Sequence, residues 1–153
     1  MGEDGGELTR PIEGPWTGGC QCGAVRFSVP RLLEPGHLCH CRMCQRATGA
    51  LFAALVPVVR DEFSWSREPE GFRSSTGVTR HFCAACGTSL SYDWGGEDLS
   101  LSVAAFDDSS RIPIGWQSDT YARHPALTGL ALEETHTEDI GANPDSRQVA
   151  PGT

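Results

Sequence analysis

The sequence predicts a mainly β domain, built from several small sheets and held together by bound metal. Short segments in which apolar and polar residues alternate recur along the middle of the chain, and 18 glycines and 10 prolines punctuate its 153 residues. Such alternation favours half-buried strands bounded by turns. The seven cysteines fall into three clusters with gaps of one or two residues, which is typical of metal ligation.

The strands are predicted from local pattern. Residues 24–29 (AVRFSV) alternate with a period of two, and residues 49–59 (GALFAALVPVV) form an apolar run that favours a buried strand over a long helix. Five further segments between residues 62 and 106 are β-branched, aromatic or alternating: EFSWSR, GFRSS, TRHFC, TSLSYDW and LSLSVAAF. One short helical turn is predicted at residues 41–48 (CRMCQRAT).

The two ends of the chain differ from its middle. Residues 1–14 and 133–153 are rich in Gly, Pro and acidic residues, and they account for −3 and −4 of the net charge of −8. Such segments bury too little apolar surface to fold, so we expect two disordered tails around one domain at residues 15–132. That domain is close to neutral and shows no basic stripe, which argues against a nucleic-acid partner.

The sequence also suggests a location. No apolar run approaches the roughly 20 residues that a membrane span needs, and the polar N-terminus lacks the apolar core of a secretion signal. We therefore expect a cytoplasmic protein without a membrane partner. In the cytoplasm thiols stay reduced, so the cysteines are expected to bind metal rather than to form disulfides.

Four cysteines form two pairs that each precede a predicted strand. Cys20 and Cys22 lie in GGCQCGAVRF, and Cys83 and Cys86 lie in HFCAACGTSL. A glycine follows the second cysteine of each pair, where a tight turn lets backbone N–H groups point at the sulfurs. Ordinary buried cysteines are the alternative, but the spacing matches known zinc ligand pairs. We predict one structural zinc with four thiolate ligands.

The other three cysteines, Cys39, Cys41 and Cys44, lie within six residues in LCHCRMCQRATG. They are too close together to belong to separate sites. If two of them completed a site with Cys20 and Cys22, then Cys83 and Cys86 would have no partners. Three thiolates leave one tetrahedral position free for water or substrate, as catalytic zinc sites do. We predict that these are the catalytic residues and that they hold a second, more labile zinc. Zinc would stabilise a bound thiolate or polarise a carbonyl oxygen.

Four residues near the cysteines have alternative roles. Arg42 and Arg46 flank the triplet, where they offset the negative charge of the zinc site, bind a substrate carboxylate, or are simply solvated at the surface. His40 is a candidate fourth ligand or proton shuttle, but we favour a surface histidine. For His81, two residues before Cys83, we favour a packed histidine with satisfied hydrogen bonds.

Three segments carry a family resemblance: GGCQCGAVRF, CHCRMCQRATGALFAALVPV and TRHFCAACGTSLSY. Over roughly residues 15–132 they resemble the glutathione-dependent formaldehyde-activating enzyme family, also called the GFA or CENP-V/GFA domain family, with all seven motif cysteines in the family's order. The resemblance implies a β-tent fold of several curled antiparallel sheets and two zinc ions. It also implies a structural set of four cysteines and a catalytic set of three, as the spacing suggests.

The resemblance further implies a reaction. In the family's named reaction glutathione and formaldehyde join to give S-hydroxymethylglutathione, formally a carbon–sulfur lyase running backwards. A small thiol or carbonyl compound, such as glutathione, would then be the substrate of this protein.

Two other classes of function are compatible with these residues. The same fold occurs in a nucleotide-free GTPase chaperone, so the domain is alternatively a non-catalytic zinc module that binds another protein. A fourth protein ligand at the triplet would favour that module, whereas an open position favours the enzyme. Because four thiolates also hold iron, an iron–sulfur protein is the third interpretation.

Overall fold

The computed structural model describes residues 10–129, and this part of the chain contains ten strands, one α-helix and five short 3₁₀-helices. The strands are β1 (Ile12–Gly19), β2 (Arg26–Leu32), β3 (Gly36–Cys39), β4 (Ala53–Val59), β5 (Ser64–Trp65), β6 (Glu70–Ser75), β7 (Val78–Phe82), β8 (Ser89–Asp93), β9 (Asp98–Ser102) and β10 (Ile114–Ser118). The α-helix, α1, is Arg42–Thr48, and the 3₁₀-helices are Arg60–Glu62, Val103–Ala105, Ser109–Arg111, Thr120–Ala122 and Pro125–Leu127.

The predicted C-terminal tail (133–153) lies outside the described residues, as does most of the predicted N-terminal tail (1–14). Strand β1 begins at Ile12, three residues before the expected start of the domain at residue 15. Within residues 10–129 no helix is long and apolar enough to span a membrane.

The ten strands form two sheets. One has the order β1-β2-β5 and the other the order β10-β3-β4-β9-β8-β7-β6. Neighbouring strands are antiparallel except for β3 and β10, which run parallel. The prediction of a mainly β, β-tent architecture is therefore confirmed.

The seven-stranded sheet buries residues on both faces, because successive strand residues point to opposite sides. On one face Val56 and Val58 of β4 belong to the main core, together with side chains of the three-stranded sheet. On the other face Leu55 of β4 packs in a smaller cluster with Cys39 and Cys44. The sheet thus separates the main core from the cysteine triplet.

Aromatic packing closes the main core between the two sheets. Phe27 of β2 is 3% exposed, and its ring centroid lies 5.0 Å from that of Phe106 and 5.9 Å from that of Trp65, both in edge-on geometry. Edge-to-face pairs at these distances add to the stabilisation from burial alone. This packing holds β2 and β5 against the segment that follows β9.

Helix α1 begins and ends where its sequence dictates, which confirms the predicted helical turn. Cys41 is the N-cap, and its Sγ atom accepts a hydrogen bond from the backbone N–H of Cys44 at 3.2 Å. Gly49 ends the helix with φ at 70°, a left-handed conformation that glycine adopts readily. The cap places Cys41 and Cys44 on the same side of the first turn.

Candidate metal centres

The two cysteine pairs meet at one site. The Sγ atoms of Cys20, Cys22, Cys83 and Cys86 all lie within 4.8 Å of one another. Two of the separations are 3.6 Å, between Cys20 and Cys22, and 3.8 Å, between Cys22 and Cys83. A tetrahedral zinc with Zn–S bonds of about 2.3 Å separates its sulfurs by about 3.8 Å. The donor set therefore fits a four-thiolate metal.

Both pairs are shaped by a glycine turn, as the sequence predicted. Gly23 and Gly87 each have φ at 82°, in the region that glycine favours. Beyond the first turn the backbone N–H of Val25 donates to Cys20 Sγ at 3.2 Å. Bonds of this kind orient a sulfur ligand and stabilise its thiolate form.

The second pair carries a similar hydrogen bond, which affects the acidity of its cysteine. The Sγ atom of Cys86 lies 3.2 Å from Oγ1 of Thr88. Burial raises the pKa of Cys86, but hydrogen bonds from Thr88 and from the neighbouring cysteines outweigh it, and the pKa falls to about 6. Since thiolates are the ligands of metal ions, the site favours the ligand form at this position.

The triplet is a second, separate group of sulfurs. Cys39 ends β3, Cys41 caps α1 and Cys44 lies in the first turn of α1, and their Sγ atoms lie within 4.8 Å of one another. Cys39 and Cys44 are buried, whereas Cys41 is partly exposed. Among residues 10–129 no histidine or carboxylate completes this group as a fourth member. The triplet could hold a metal ion with three protein ligands.

The acidities within the triplet differ. Burial raises the pKa of Cys44 to about 12, although a hydrogen bond from Arg80 opposes the rise. At Cys41 burial also raises the pKa, but the N–H of Cys44 and the neighbouring sulfurs outweigh it, and the pKa is lowered. A cation bound among the three sulfurs would favour their thiolate forms.

Arg80 on β7 lies at the triplet, and its role there was not predicted. Its guanidinium donates to Cys44 Sγ at 3.5 Å and to Ser74 Oγ at 2.9 Å, and it lies 4.9 Å from the centre of the Tyr92 ring. Only 7% of the residue is exposed. The available signal was its spacing of two from the apolar Val78, which places it on an inward-facing strand position.

Arg42 and Arg46, which flank the triplet in sequence, are both exposed. Arg42 donates to the side-chain oxygen of Gln45, one turn along α1, rather than to a sulfur. Of the three interpretations of these arginines, the structure favours solvated surface residues.

His40 is buried, with 1% of its surface exposed, so the preferred prediction of a surface histidine is wrong. Its Nε2 atom is paired with Oε1 of Gln117 at 2.8 Å, and its backbone N–H donates to the carbonyl oxygen of Ser118 at 3.1 Å. Strand β10 therefore covers it. Its Nδ1 atom is buried without a hydrogen-bond partner in the described residues, and its ring is not part of the group of sulfurs.

His81 is packed and hydrogen-bonded, as predicted. Its Nδ1 atom pairs with Oγ of Ser91 at 2.8 Å, and its ring lies 5.9 Å from that of Trp65. The closest carboxylate to its other nitrogen is that of Glu68 at 4.0 Å. Because Ser91 is 3% exposed, this arrangement has no surface hydroxyl to act on a substrate.

A segment after β10 borders the triplet. The side-chain nitrogen of Gln45 donates to the carbonyl oxygen of Ala122 at 3.1 Å, which ties α1 to this segment. Asp119 lies between the end of β10 and Ala122, and its Oδ2 atom accepts a hydrogen bond from Cys39 Sγ at 3.3 Å. Among residues 10–129 it is the one non-glycine residue with positive φ, at 55°. The position of Asp119 was not predicted, because β10 itself was not predicted.

A cavity lies away from the triplet. It has a volume of about 720 Å³ and is lined by Cys20 of the four-cysteine site, Thr48 and Phe52 near the end of α1, and the paired side chains of Arg26 and Asp107. No cysteine of the triplet lines it. The cavity and the triplet are therefore separate features of the domain.

Comparison with known proteins places the chain in a family. The family model described as "Glutathione-dependent formaldehyde-activating enzyme" matches residues 15–120, which include all seven cysteines. A crystal structure of a Rhodobacter sphaeroides protein from structural genomics has a similar fold, with a TM-score of 0.50 and 23% sequence identity over 65% of this chain and 99% of that one. The chain belongs to the glutathione-dependent formaldehyde-activating enzyme family.

Proposed function

We propose that this protein is a zinc-dependent enzyme of the carbon–sulfur lyase type, acting on an adduct of a small thiol and a carbonyl compound at Cys39, Cys41 and Cys44. Formation of S-hydroxymethylglutathione from glutathione and formaldehyde is the representative reaction. One observation supports this above all: three sulfurs converge without a fourth protein ligand among the described residues. A metal held there keeps one position for a reactant.

The proposed reaction needs no oxidant or reductant. The thiol sulfur forms a bond to the carbonyl carbon, the π bond of the carbonyl opens, and the thiol proton ends on the new hydroxyl oxygen. A zinc ion held by the triplet would supply stabilisation of the thiolate and polarisation of the carbonyl. The reverse sequence cleaves the carbon–sulfur bond.

The protein's own residues shape the path to the site. Cys39 and Cys44 are buried whereas Cys41 is partly exposed, so a reactant reaches the sulfurs from the side of Cys41. Arg80 stands behind Cys44 as a buried cation, and Asp119 places a carboxylate beside Cys39. The opposite charges on the two sides orient a polar reactant.

We propose two zinc ions per chain, one structural at the four-cysteine site and one catalytic and more labile at the triplet. The sulfur-only donor sets and the tetrahedral spacing of the first site support zinc. We also propose a cytoplasmic location, because cysteines that bind metal must stay reduced, which a reducing compartment ensures, and no disulfide joins any of the seven.

Metal analysis followed by an exchange assay tests the function. The purified protein should contain two zinc ions per chain, and it should accelerate exchange between free glutathione and S-hydroxymethylglutathione in the presence of formaldehyde, measured by NMR. A panel of other thiols and aldehydes then defines the substrate. The matched control is Cys44→Ser, in whose presence exchange should be no faster than the uncatalysed reaction. Two bound zinc ions with no acceleration for any pair would contradict the proposal.

A non-catalytic zinc module that binds another protein is the second candidate. The proximity of the Asp119 carboxylate to Cys39, at 3.3 Å, favours it, because a carboxylate ligand would close the fourth position. X-ray absorption separates the two: a small thiol adds a sulfur neighbour to an open site and leaves a closed one unchanged. An iron–sulfur protein is a third candidate, and a colourless purified protein eliminates it.

A further inference from the structure

The geometry points to Arg80 as a positioning residue that balances the negative charge of a metal held by three thiolates. With this balance, the site should prefer an anionic thiolate to a neutral molecule as its fourth ligand. The thiolate preference rests on the proposed function, whereas the charge balance rests on contacts alone. Arg80 lies outside the segment that contains the triplet, 36 positions beyond Cys44.

The burial of Arg80 requires a negative partner. An arginine stays charged at all physiological pH values, and a buried charge is costly unless it is paired. Even arginines of the domain whose side chains are more exposed pair with carboxylates, as in Arg26–Asp107 and Arg60–Asp93. Within residues 10–129 no carboxylate lies within 4.0 Å of the Arg80 guanidinium, although the residue is only 7% exposed.

The groups that Arg80 does contact identify its partner. Ser74 accepts a hydrogen bond from Nε at 2.9 Å, and the face of the Tyr92 ring lies 4.9 Å from the guanidinium carbon. Neither a serine hydroxyl nor the face of an aromatic ring is an anionic partner. The third contact is Cys44 Sγ, at 3.5 Å, and among the three it is the one that becomes an anion when it binds a metal.

Strand register fixes this placement. Arg80 of β7 is directly opposite Tyr92 of β8, so both side chains lie on one face of the sheet. Tyr92 packs against the cluster that contains Cys39 and Cys44. The pairing of β7 with β8 therefore fixes the position of the guanidinium between the Tyr92 ring and the Cys44 sulfur.

Charge counting gives the consequence for ligand choice. Zn²⁺ with three thiolates has a formal charge of −1, which one arginine brings to zero; the exposed carboxylate of Asp119 is left out because it adds the same charge to every total compared. A fourth thiolate takes the assembly to −1 with Arg80 present and to −2 without it. A neutral ligand such as imidazole changes neither total. Removal of the guanidinium charge should therefore weaken thiolate binding much more than imidazole binding.

The first experiment measures metal affinity and does not depend on activity. With the four-cysteine site filled, the affinity of the second site for Zn²⁺ is measured by competition with a chromophoric chelator, for the wild type, Arg80→Gln and Arg46→Gln. Loss of a charge-assisted hydrogen bond at a buried site predicts at least about tenfold weaker binding for Arg80→Gln. Arg46 is exposed, so its variant should match the wild type. Wild-type affinity in Arg80→Gln overturns the charge balance.

The second experiment measures ligand choice. Co²⁺ is placed in the second site, and its absorption spectrum is followed during titration with 2-mercaptoethanol and, separately, with imidazole. Arg80→Gln should lose at least about tenfold in thiol affinity and change little toward imidazole. Equal losses for both ligands overturn the thiolate preference. If the wild type binds neither ligand, the proposed function and the thiolate preference both fail, while the metal competition still decides the charge balance.

A second variant guards against misfolding. Circular dichroism and retention of the structural zinc establish whether Arg80→Gln is folded. If it is not, Arg80→Lys carries the test, because an ammonium group keeps the charge but loses the planar hydrogen-bonding geometry. The lysine variant should keep the preference for 2-mercaptoethanol over imidazole, and loss of that preference in a folded protein would overturn the inference.

Discussion

The Sγ atoms of Cys22 and Cys83 lie 3.8 Å apart, although the two residues are separated by 61 positions in the sequence. Cys22 precedes β2 in the three-stranded sheet, and Cys83 follows β7 in the seven-stranded sheet. A metal bound at these sulfurs therefore links the two sheets across the edge of the main core, which contains both Cys20 and Cys83.

Replacement of Cys83 by serine should unfold the domain or make it insoluble. Structural zinc contributes about 10 kcal/mol or more of apparent binding free energy in small metal domains, and the link between the sheets depends on it. Zinc content and thermal melting followed by circular dichroism measure the effect. A soluble variant with unchanged melting would show that the four-cysteine site does not stabilise the fold.

Replacement of Cys44 by serine is the matched comparison, because Cys44 and Cys83 are both 2% exposed. Cys44 belongs to the smaller cluster on the far face of the sheet, so its loss should remove one zinc and the proposed activity while the domain stays folded. The melting temperature should fall by several degrees, because the change leaves the buried Arg80 without its thiolate partner, but the domain should remain folded. Unfolding as complete as that of Cys83→Ser would assign a structural role to the triplet.

A mild chelator should release one zinc per chain and leave the other bound. The triplet offers three ligands rather than four, so it should hold zinc less tightly against the chelator. Cys41 is partly exposed, so the chelator can also reach the metal. A colorimetric indicator measures the released zinc, and circular dichroism follows the fold. Simultaneous release of both ions would show that the two sites do not differ in lability.

Replacement of Asp119 by asparagine should leave two zinc ions bound, because the carboxylate is outside the group of converging sulfurs. Asparagine tolerates the left-handed backbone at this position, so the change removes charge and little else. Asp108→Asn is the control, since Asp108 also precedes a 3₁₀-helix without a side-chain cap. Loss of the second zinc in Asp119→Asn alone would identify the carboxylate as a fourth ligand and favour the non-catalytic module.

Trimming the N-terminus should reveal where the fold begins. Removal of residues 1–9, a polar and acidic segment, should leave the melting temperature unchanged. Removal of residues 1–14 should lower it by several degrees, because Ile12 pairs with Leu32 of β2 and packs against the main core. Equal melting of both truncations would show that the start of β1 contributes nothing.

The division of the cysteines into four and three was predictable because ligand spacing is a local property. Each pair needs only a tight turn, and Gly23 and Gly87 reveal that turn in the sequence. Helix α1 was predictable for the same reason, since its N-cap and its terminal glycine are adjacent to it. Metal sites built from short motifs are thus visible before the fold is known.

The surroundings of the triplet were not predictable, because they depend on strand order. His40 looks exposed in sequence but is covered by β10, whose parallel pairing with β3 has no local signal. Arg80 reaches Cys44 only because β7 and β8 bring it beside Tyr92. Arg42 and Arg46 are neighbours of the ligands in sequence, yet their helix turns them to solvent.

The alternation of β4 has a consequence for how such a protein can diverge. Leu55 belongs to the environment of the triplet, whereas Val56, the next residue, belongs to the main core. Substitutions at odd-numbered positions of this strand can therefore remodel the reactive face while the even-numbered positions preserve stability. Because Leu55 is itself buried, a volume-conserving substitution there should cost less stability than a truncation. The two faces of one strand can in this way change separately.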